Sequence, residues 1–349
     1  MTREVNEKYM LRCLELAAKG LGKTKSNPLV GSVIVHDNKI IGEGYHREFG
    51  GPHAEVIAIH SVKQPQLLGN STLYVNLEPC SHFGKTPPCV HLIKESGIPH
   101  VVIGTSDPNP LVAGKGIDFL KKNGIIVSVN HKEQECRFLN RRFFVAHNNK
   151  RPYIILKWAR SADGFLDSRT PEDTGKSRSV ITGKQSQILV HKWRSEEMAI
   201  MVGTNTANMD DPSLTVRYWT GDNPVRITVE RNKTLNQDIS LLNDNHPTVI
   251  YSTFKRENKL SVEYIFVEKE SMTLGFILND LWKRGIISLI VEGGAELLKC
   301  FLEINLWDEA RIFKGPGLLK KGVKAPFPGN PGKKVMIDED ELDVIFNSK

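Results

Sequence analysis

His53-Ala54-Glu55, followed by Glu78-Pro79-Cys80 and, after Ser-His-Phe-Gly-Lys-Thr-Pro-Pro, by Cys89, is the stretch on which the reading of this chain turns. His53 stands just after Gly50-Gly51-Pro52, where a helix can begin, so an imidazole and a carboxylate lie two positions apart in one first turn. His53, Cys80 and Cys89 supply three soft or borderline donors. That is the number a catalytic zinc takes while keeping its fourth position for water, whereas a structural zinc wants a fourth protein ligand. Zinc lowers the pKa of its bound water to about 7, and a nearby carboxylate that is not a ligand can then carry the proton to a leaving amine. Glu55 suits that role. His82, two residues beyond Cys80, is a rival ligand. Cys13, Cys136 and Cys300 read as packed core residues.

Outward from this stretch, the first half carries a helix with apolar residues at Met10, Leu14 and Ala17. Short apolar strands are expected at Leu29–Val35, Thr72–Leu77, His100–Gly104 and Ile125–Val129, with helices between them. This is a mixed three-layer α/β pattern. The polar break His147-Asn-Asn-Lys-Arg-Pro152 sets turn formers and a proline between periodic segments, and places a domain boundary between residues 147 and 148. Beyond it, strands are expected at Tyr153–Trp158, Ala199–Gly203, Val225–Glu230, Thr248–Tyr251, Tyr264–Val267 and Ser288–Glu292. Helices near Lys184–Arg194, Thr273–Lys283 and Ala295–Glu303 interleave with them, which predicts a second, mostly parallel sheet. This half has no GxGxxG fingerprint. Val291-Glu-Gly-Gly-Ala-Glu-Leu-Leu298 follows an apolar strand and opens a helical pattern, so it is either a phosphate-receiving helix N-terminus or simply a tight connection. Glu230 at a strand end favours NAD through the ribose hydroxyls, while Arg231 beside it favours a 2′-phosphate.

The composition sets the outer bounds. The chain has 349 residues, 40% hydrophobic and 25% charged, which excludes disordered and fibrous classes and suffices for two domains. No run approaches the roughly 20 apolar residues of a membrane span, and Met1-Thr-Arg-Glu-Val-Asn-Glu-Lys has no apolar core of a signal peptide, so a cytoplasmic location is expected. Five scattered cysteines do not suggest a disulfide framework. A formal charge of +7 suits anionic substrates or nucleic acid. Without basic tracts, phosphate-bearing small molecules explain it equally well.

The H-x-E element with a later P-C and C is also the signature of zinc deaminases acting on nucleobases, although those enzymes space their cysteines as C-x-x-C. Ser26-Asn-Pro-Leu-Val-Gly31, His53-Ala-Glu55, Glu78 to Cys89 and Asp107-Pro-Asn-Pro-Leu-Val-Ala-Gly-Lys-Gly116 together resemble the bifunctional deaminase/reductases of riboflavin biosynthesis. Lys157-Trp-Ala-Arg-Ser-Ala-Asp-Gly164, Val180-Ile-Thr-Gly183, Trp193-Arg194, Val202-Gly-Thr-Asn-Thr206, Asp210 to Arg217 and Val291-Glu-Gly-Gly294 resemble the reductase half, in order. The resemblance implies a cytidine-deaminase-like α/β/α domain at 1–147 and a dihydrofolate-reductase-like α/β domain at 148–349. It implies zinc on His53, Cys80 and Cys89, Glu55 as proton carrier, and substrate contacts at Asn27, His82 and Lys85. In the second half it implies NADPH at Ala159, Val180, Thr206, Asp210, Arg231 and the run Gly294, Ala295, Glu296, Leu297, Leu298, Lys299, Cys300. Substrate contacts there fall on Ser177, Arg194, Leu214, Arg217 and Glu292. Arg194 and Arg217 make sense as a fork-shaped clamp on a ribose 5-phosphate. Ser168–Arg178 is longer and more polar than the family pattern, and Ala162 stands where leucine is common. The implied partners are small phosphoribosylaminopyrimidines, not nucleic acid or membrane, and a homo-oligomer is expected. The rivals are a nucleic-acid base deaminase, which leaves the second domain without a use, and a binding protein with a structural zinc.

Overall fold

The computed structural model describes residues 5–82, 87–110, 112–169, 180–329 and 332–347, which form two compact units, Met1–Lys150 and Arg151–Lys349. The division falls three residues beyond the sequence-based boundary, because the last helix of the first unit continues to Asn149.

The first unit runs α1 (Glu7–Ala18), β1 (Gly31–His36), β2 (Lys39–Tyr45), α2 (Ala54–His60), β3 (Thr72–Leu77), α3 (Cys89–Glu95), β4 (His100–Thr105), α4 (Lys115–Lys122), β5 (Ile126–Ser128), α5 (Glu133–Leu139) and α6 (Arg141–Asn149). Its sheet has the order β2-β1-β3-β4-β5, antiparallel at the first two pairings and parallel at the last two. Strand alternation sorts the side chains into two layers. Ile34, Leu73, Val75, Val101 and Ile103 pack with Ala58 of α2, Ile93 of α3 and Leu120 of α4. Val33, Val35, Tyr74 and Val102 pack with Met10, Cys13 and Leu16 of α1 and Cys136 of α5. Sequence reading gave no strand at 39–45; β2 forms because Asp37 and Asn38, both at positive φ, make a two-residue hairpin turn pairing His36 with Lys39. Its Gly42 and Gly44 let α2 lie close: a Cβ on Gly44 would stand 2.5 Å from the Ala54 carbonyl and the Ala58 nitrogen. The first expected strand starts two residues late, at Gly31, because Leu29 is held by side chains instead. Its N–H donates to Asn140 Oδ1, and its carbonyl accepts from Asn140 and Asn76.

The second unit runs β6 (Tyr153–Arg160), β7 (Phe165–Asp167), α7 (Lys184–Glu196), β8 (Ala199–Met201), α8 (Thr204–Asp210), β9 (Val225–Glu230), α9 (Ser240–Asn243), β10 (Thr248–Ser252), β11 (Val262–Phe266), α10 (Leu274–Lys283), β12 (Ser288–Val291), α11 (Ala295–Glu303), β13 (Glu309–Lys314), β14 (Val323–Lys324), β15 (Lys333–Ile337) and β16 (Asp340–Phe346). The large sheet has the order β11-β10-β9-β8-β12-β6-β13-β16-β15; the seven strands from β11 to β13 are mutually parallel and β16 and β15 run antiparallel at one edge. One face packs Ile154, Leu156, Met201 and Val291 against Leu278 of α10 and Leu298 and Phe301 of α11. Ile155, Ile200, Ile250 and Ile290 are buried on the other.

Candidate active sites

In the first unit two helix starts meet one loop. His53 is the cap residue of α2 with Glu55 in its first turn, Cys89 is the first residue of α3, and Cys80 lies just past the end of β3. His53 Nδ1 is 3.2 Å from Cys89 Sγ and 3.4 Å from Cys80 Sγ, and the three donor atoms all lie within 4.8 Å of one another. A tetrahedral zinc with bonds of about 2.0–2.3 Å needs donors separated by about 3.5–3.8 Å, so the cluster fits that ion with little adjustment. Among the described residues no other His, Cys, Asp or Glu group of this kind occurs, and His82 is exposed outside it.

The three donors are coupled through hydrogen bonds, and one of them is driven to its thiolate. Cys80 is held down to about 4, chiefly by its hydrogen bond with the Cys89 thiol and also by His53 and the Cys89 N–H, which donates at 3.3 Å. Cys89 is correspondingly pushed up, since the proton between the two thiols rests with it. Hydrogen bonding to Cys80 raises His53 to about 9. Burial, then the negative charge of Cys80, pushes the Glu55 carboxyl up to about 7. Glu55 is 3% exposed, the burial that raises its carboxyl toward neutrality.

Two supports escaped sequence reading. His46 is buried, its Nδ1 donates to the Pro52 carbonyl at 3.0 Å, and its Nε2 then accepts from Asn27 Nδ2 at 3.0 Å. This fixes the Asn27 amide with its oxygen left for another partner. Glu78 accepts from the backbone N–H groups of Asp107, Gly114, Gly116 and Ile117, and so ties the segment after β4 and the start of α4 to the residue two before Cys80. The available signal was an acid directly before Pro79-Cys80, with Gly114 and Gly116 downstream. Lys85 and Ser177 lie outside the described residues.

In the second unit the candidate residues gather at the C-terminal ends of the parallel strands, the side on which open α/β sheets bind ligands. Gly203 and Gly294 cap α8 and α11 without a side-chain hydrogen bond, and the Gly294 N–H donates to Thr206 Oγ1 at 2.9 Å. The backbone N–H groups that follow Gly203 and Gly294 in the two first turns are the kind of donors that receive a pyrophosphate. Ala295, Glu296 and Leu297 continue the first turn of α11. Leu298 is fully buried in the core, so a ligand meets only its backbone, while Lys299 and Cys300 are exposed. The exposure of Cys300 corrects its expected place in the core; it falls on the solvent side of α11, away from Leu298 and Phe301. Asp210, at the end of α8, pairs with Arg169 at 2.5 Å; Ala159 is half-buried on β6 and Val180 is exposed.

The expected two-arginine clamp takes a different form. Arg194 Nε and Nη2 each donate at 2.8 Å to the Glu292 carboxylate, and Nη1 donates to the Thr215 carbonyl. Lys157 Nζ adds a third contact, 3.6 Å from Glu292. The forked edge of Arg194 is therefore spent on Glu292, and the guanidinium is buried. Arg217 remains exposed, with its N–H donating to His191 Nδ1 at 2.9 Å. His191 stays neutral because burial, and then Arg194 and Arg217, push it down to about 4. Leu214 holds a positive φ of 56° with its side chain buried, so it shapes the loop between α8 and Arg217.

Comparison with known proteins covers both units. Residues 3–105 match the cytidine and deoxycytidylate deaminase zinc-binding region, and residues 152–344 match the RibD C-terminal domain. The riboflavin biosynthesis protein RibD of Aquifex aeolicus is 41% identical over 332 residues, covering 93% of this chain and 90% of its own. Its counterpart from Bacillus amyloliquefaciens is 38% identical, covering 92% and 87%. The crystal structure of a diaminohydroxyphosphoribosylaminopyrimidine deaminase/5-amino-6-(5-phosphoribosylamino)uracil reductase from Thermotoga maritima is similar with a TM-score of 0.87 at 35% identity, over 98% of each chain. Acinetobacter baumannii RibD gives 0.88 at 32%, over 98% of this chain and 99% of its own.

Proposed function

Because the chain belongs to the RibD family of riboflavin biosynthesis, and so is a bifunctional deaminase/reductase with a cytidine-deaminase-like unit and a dihydrofolate-reductase-like unit, we propose that these units run consecutive steps on one phosphoribosylated pyrimidine. The first would hydrolyse the 2-amino group of 2,5-diamino-6-(5-phosphoribosylamino)pyrimidin-4-one. The second would reduce the resulting 5-amino-6-(5-phosphoribosylamino)uracil to its ribityl form with NADPH. The observation that carries the first step is the three-donor cluster of His53, Cys80 and Cys89 beside a buried Glu55.

Zinc held by those three donors supplies the Lewis acid that makes water a nucleophile at neutral pH. Glu55 would take a proton from the water as its oxygen bonds to ring carbon 2 and pass it to the ring nitrogen of the opened C=N bond; it would then take the hydroxyl proton and give it to the amino nitrogen as that carbon–nitrogen bond breaks, so ammonia leaves and a carbonyl remains. Asn27, its amide fixed by His46, would orient the base; His82 would add a substrate contact, and Lys85 is assigned to the substrate on the family resemblance alone. In the second unit the nicotinamide supplies the hydride. The glycine-capped starts of α8 and α11, with Thr206, would hold its pyrophosphate, Ala159, Val180 and Asp210 would flank the cofactor, and Arg231 would meet its 2′-phosphate. Arg217, beside Leu214 and the Arg194–Glu292 pair, would grip the substrate phosphate; Ser177 is assigned to the substrate on the family resemblance alone. No helix among the described residues is long and apolar enough to cross a membrane, and we read the enzyme as cytoplasmic.

The test is a coupled assay on the whole chain. Ammonia release from the diaminopyrimidine substrate should come first, followed by oxidation of one NADPH per turnover. Transfer RNA and single-stranded DNA should release none. Ammonia from either nucleic acid, or none from the pyrimidine, would overturn the reading.

A further inference from the structure

The carboxylate at the end of β9 is turned away from the place where its sequence position would put it to use. In dinucleotide sites an acid at such a strand end accepts from the ribose hydroxyls and selects for a cofactor without a 2′-phosphate. Glu230 occupies that position yet is only 1% exposed. Its Oε1 accepts from the Leu235 N–H at 2.7 Å, and its Oε2 accepts from Ser252 Oγ at 2.9 Å and Arg256 Nε at 3.1 Å. The Arg256 Nη2 completes a forked grip at 3.4 Å on Oε1. Both oxygens are thereby committed to the protein.

Immediately above these residues lies a crevice of about 650 Å³ lined by Arg231, Asn232, Thr253, Phe254, Glu268 and Lys269, at the ends of β9, β10 and β11. Thr253 Oγ1 donates to the Arg231 carbonyl at 2.8 Å and joins the first two of those strand ends. Arg256 sits 6.0 Å from the centre of the ring of Phe254, which lines the crevice. Arg256 offsets Glu230, so the charges that remain at the crevice are two cations, Arg231 and Lys269, against one anion, Glu268. A phosphate dianion is attracted there; an unmatched Glu230 would cancel that excess of positive charge.

We propose that Arg256 is a positioning residue for cofactor choice: by gripping Glu230 it keeps that carboxylate inward and cancelled, so that Arg231 and Lys269 receive the 2′-phosphate of a dinucleotide. This rests on the reading that NADPH is the reductant. It adds the device by which a chain carrying an acid at the NAD-selecting position takes the phosphorylated cofactor.

The experiment is calorimetric binding of NADP⁺, NAD⁺ and 2′,5′-ADP to the full chain. Arg256→Leu should weaken NADP⁺ and 2′,5′-ADP about tenfold, the scale of one charge-assisted contact, and change NAD⁺ less than about twofold. Adding Glu230→Gln to Arg256→Leu should restore most of the loss, which a merely structural role for Arg256 would not allow. Glu230→Gln alone keeps the side-chain shape and reports even if Arg256→Leu does not fold: NADP⁺ should bind no more weakly than to wild type. Equal weakening of NAD⁺ and NADP⁺ by Arg256→Leu, absence of rescue, or weaker NADP⁺ binding by Glu230→Gln overturns the proposal. A wild type that binds NAD⁺ as tightly as NADP⁺ overturns the NADPH reading itself.

Discussion

Glu292 occupies the forked edge of Arg194 that was expected to meet a phosphate, and Arg217 is left exposed. Glu292 belongs to the glycine-rich turn, yet its nearest partner is Arg194, 98 positions away in sequence. No spacing rule reveals such a pair, whereas His53, Cys80, Cys89 and Glu55 were legible because zinc chemistry prescribes both the residue types and a local carboxylate. With both partners near 10% exposed, breaking the pair strands a buried guanidinium. Glu292→Ala should therefore cost roughly 3–5 kcal/mol of stability, read as a lowered melting transition. Exposed Arg217→Ala should change stability by less than about 0.5 kcal/mol but lower reductase kcat/KM about tenfold to a hundredfold. A substrate lacking the 5-phosphate is the control: Arg217→Ala should lose little further on it. An equal loss on both substrates would remove Arg217 from the phosphate.

At the scale of elements, the segment Asp107–Gly116 and the loop that carries Cys80 are held as one piece by Glu78. Gly116 packs tightly against that loop: a Cβ there would lie 2.2 Å from the Pro79 carbonyl. Gly116→Ala should push Pro79, and with it Cys80, out of line. The expected result is about 1–3 kcal/mol of destabilisation and zinc lost on dialysis that wild type retains, checked by melting and elemental analysis. Full zinc retention with an unchanged melting transition would show that the two segments are not mechanically joined. The parallel strands from β6 to β12 were legible as apolar runs between helices. Those after residue 303 were not, for a physical reason: β13 buries Glu309 and Arg311, which pair with each other at 2.7 Å while Tyr153 donates to Glu309. Asp340 at the start of β16 is buried because it accepts from the Gly183 N–H and Ser186 Oγ at the start of α7. Charged letters that satisfy one another across the fold look like surface in the sequence. The β1–β2 hairpin, in contrast, did carry a readable signal in Asp37-Asn38.

For the whole molecule, the two units have separate sheets and separate cores, and each carries its own candidate site. The central claim is that these sites perform different chemistry on successive forms of one substrate. Glu55→Gln tests it most directly, since the substitution keeps the side-chain shape and all three metal donors while removing the proton carrier. The variant should hold about one zinc per chain and lose deamination by at least about a hundredfold. It should reduce pre-deaminated substrate at the wild-type rate. If deamination persists, or if both activities fall together in a protein that melts like wild type, the account of two independent sites is contradicted.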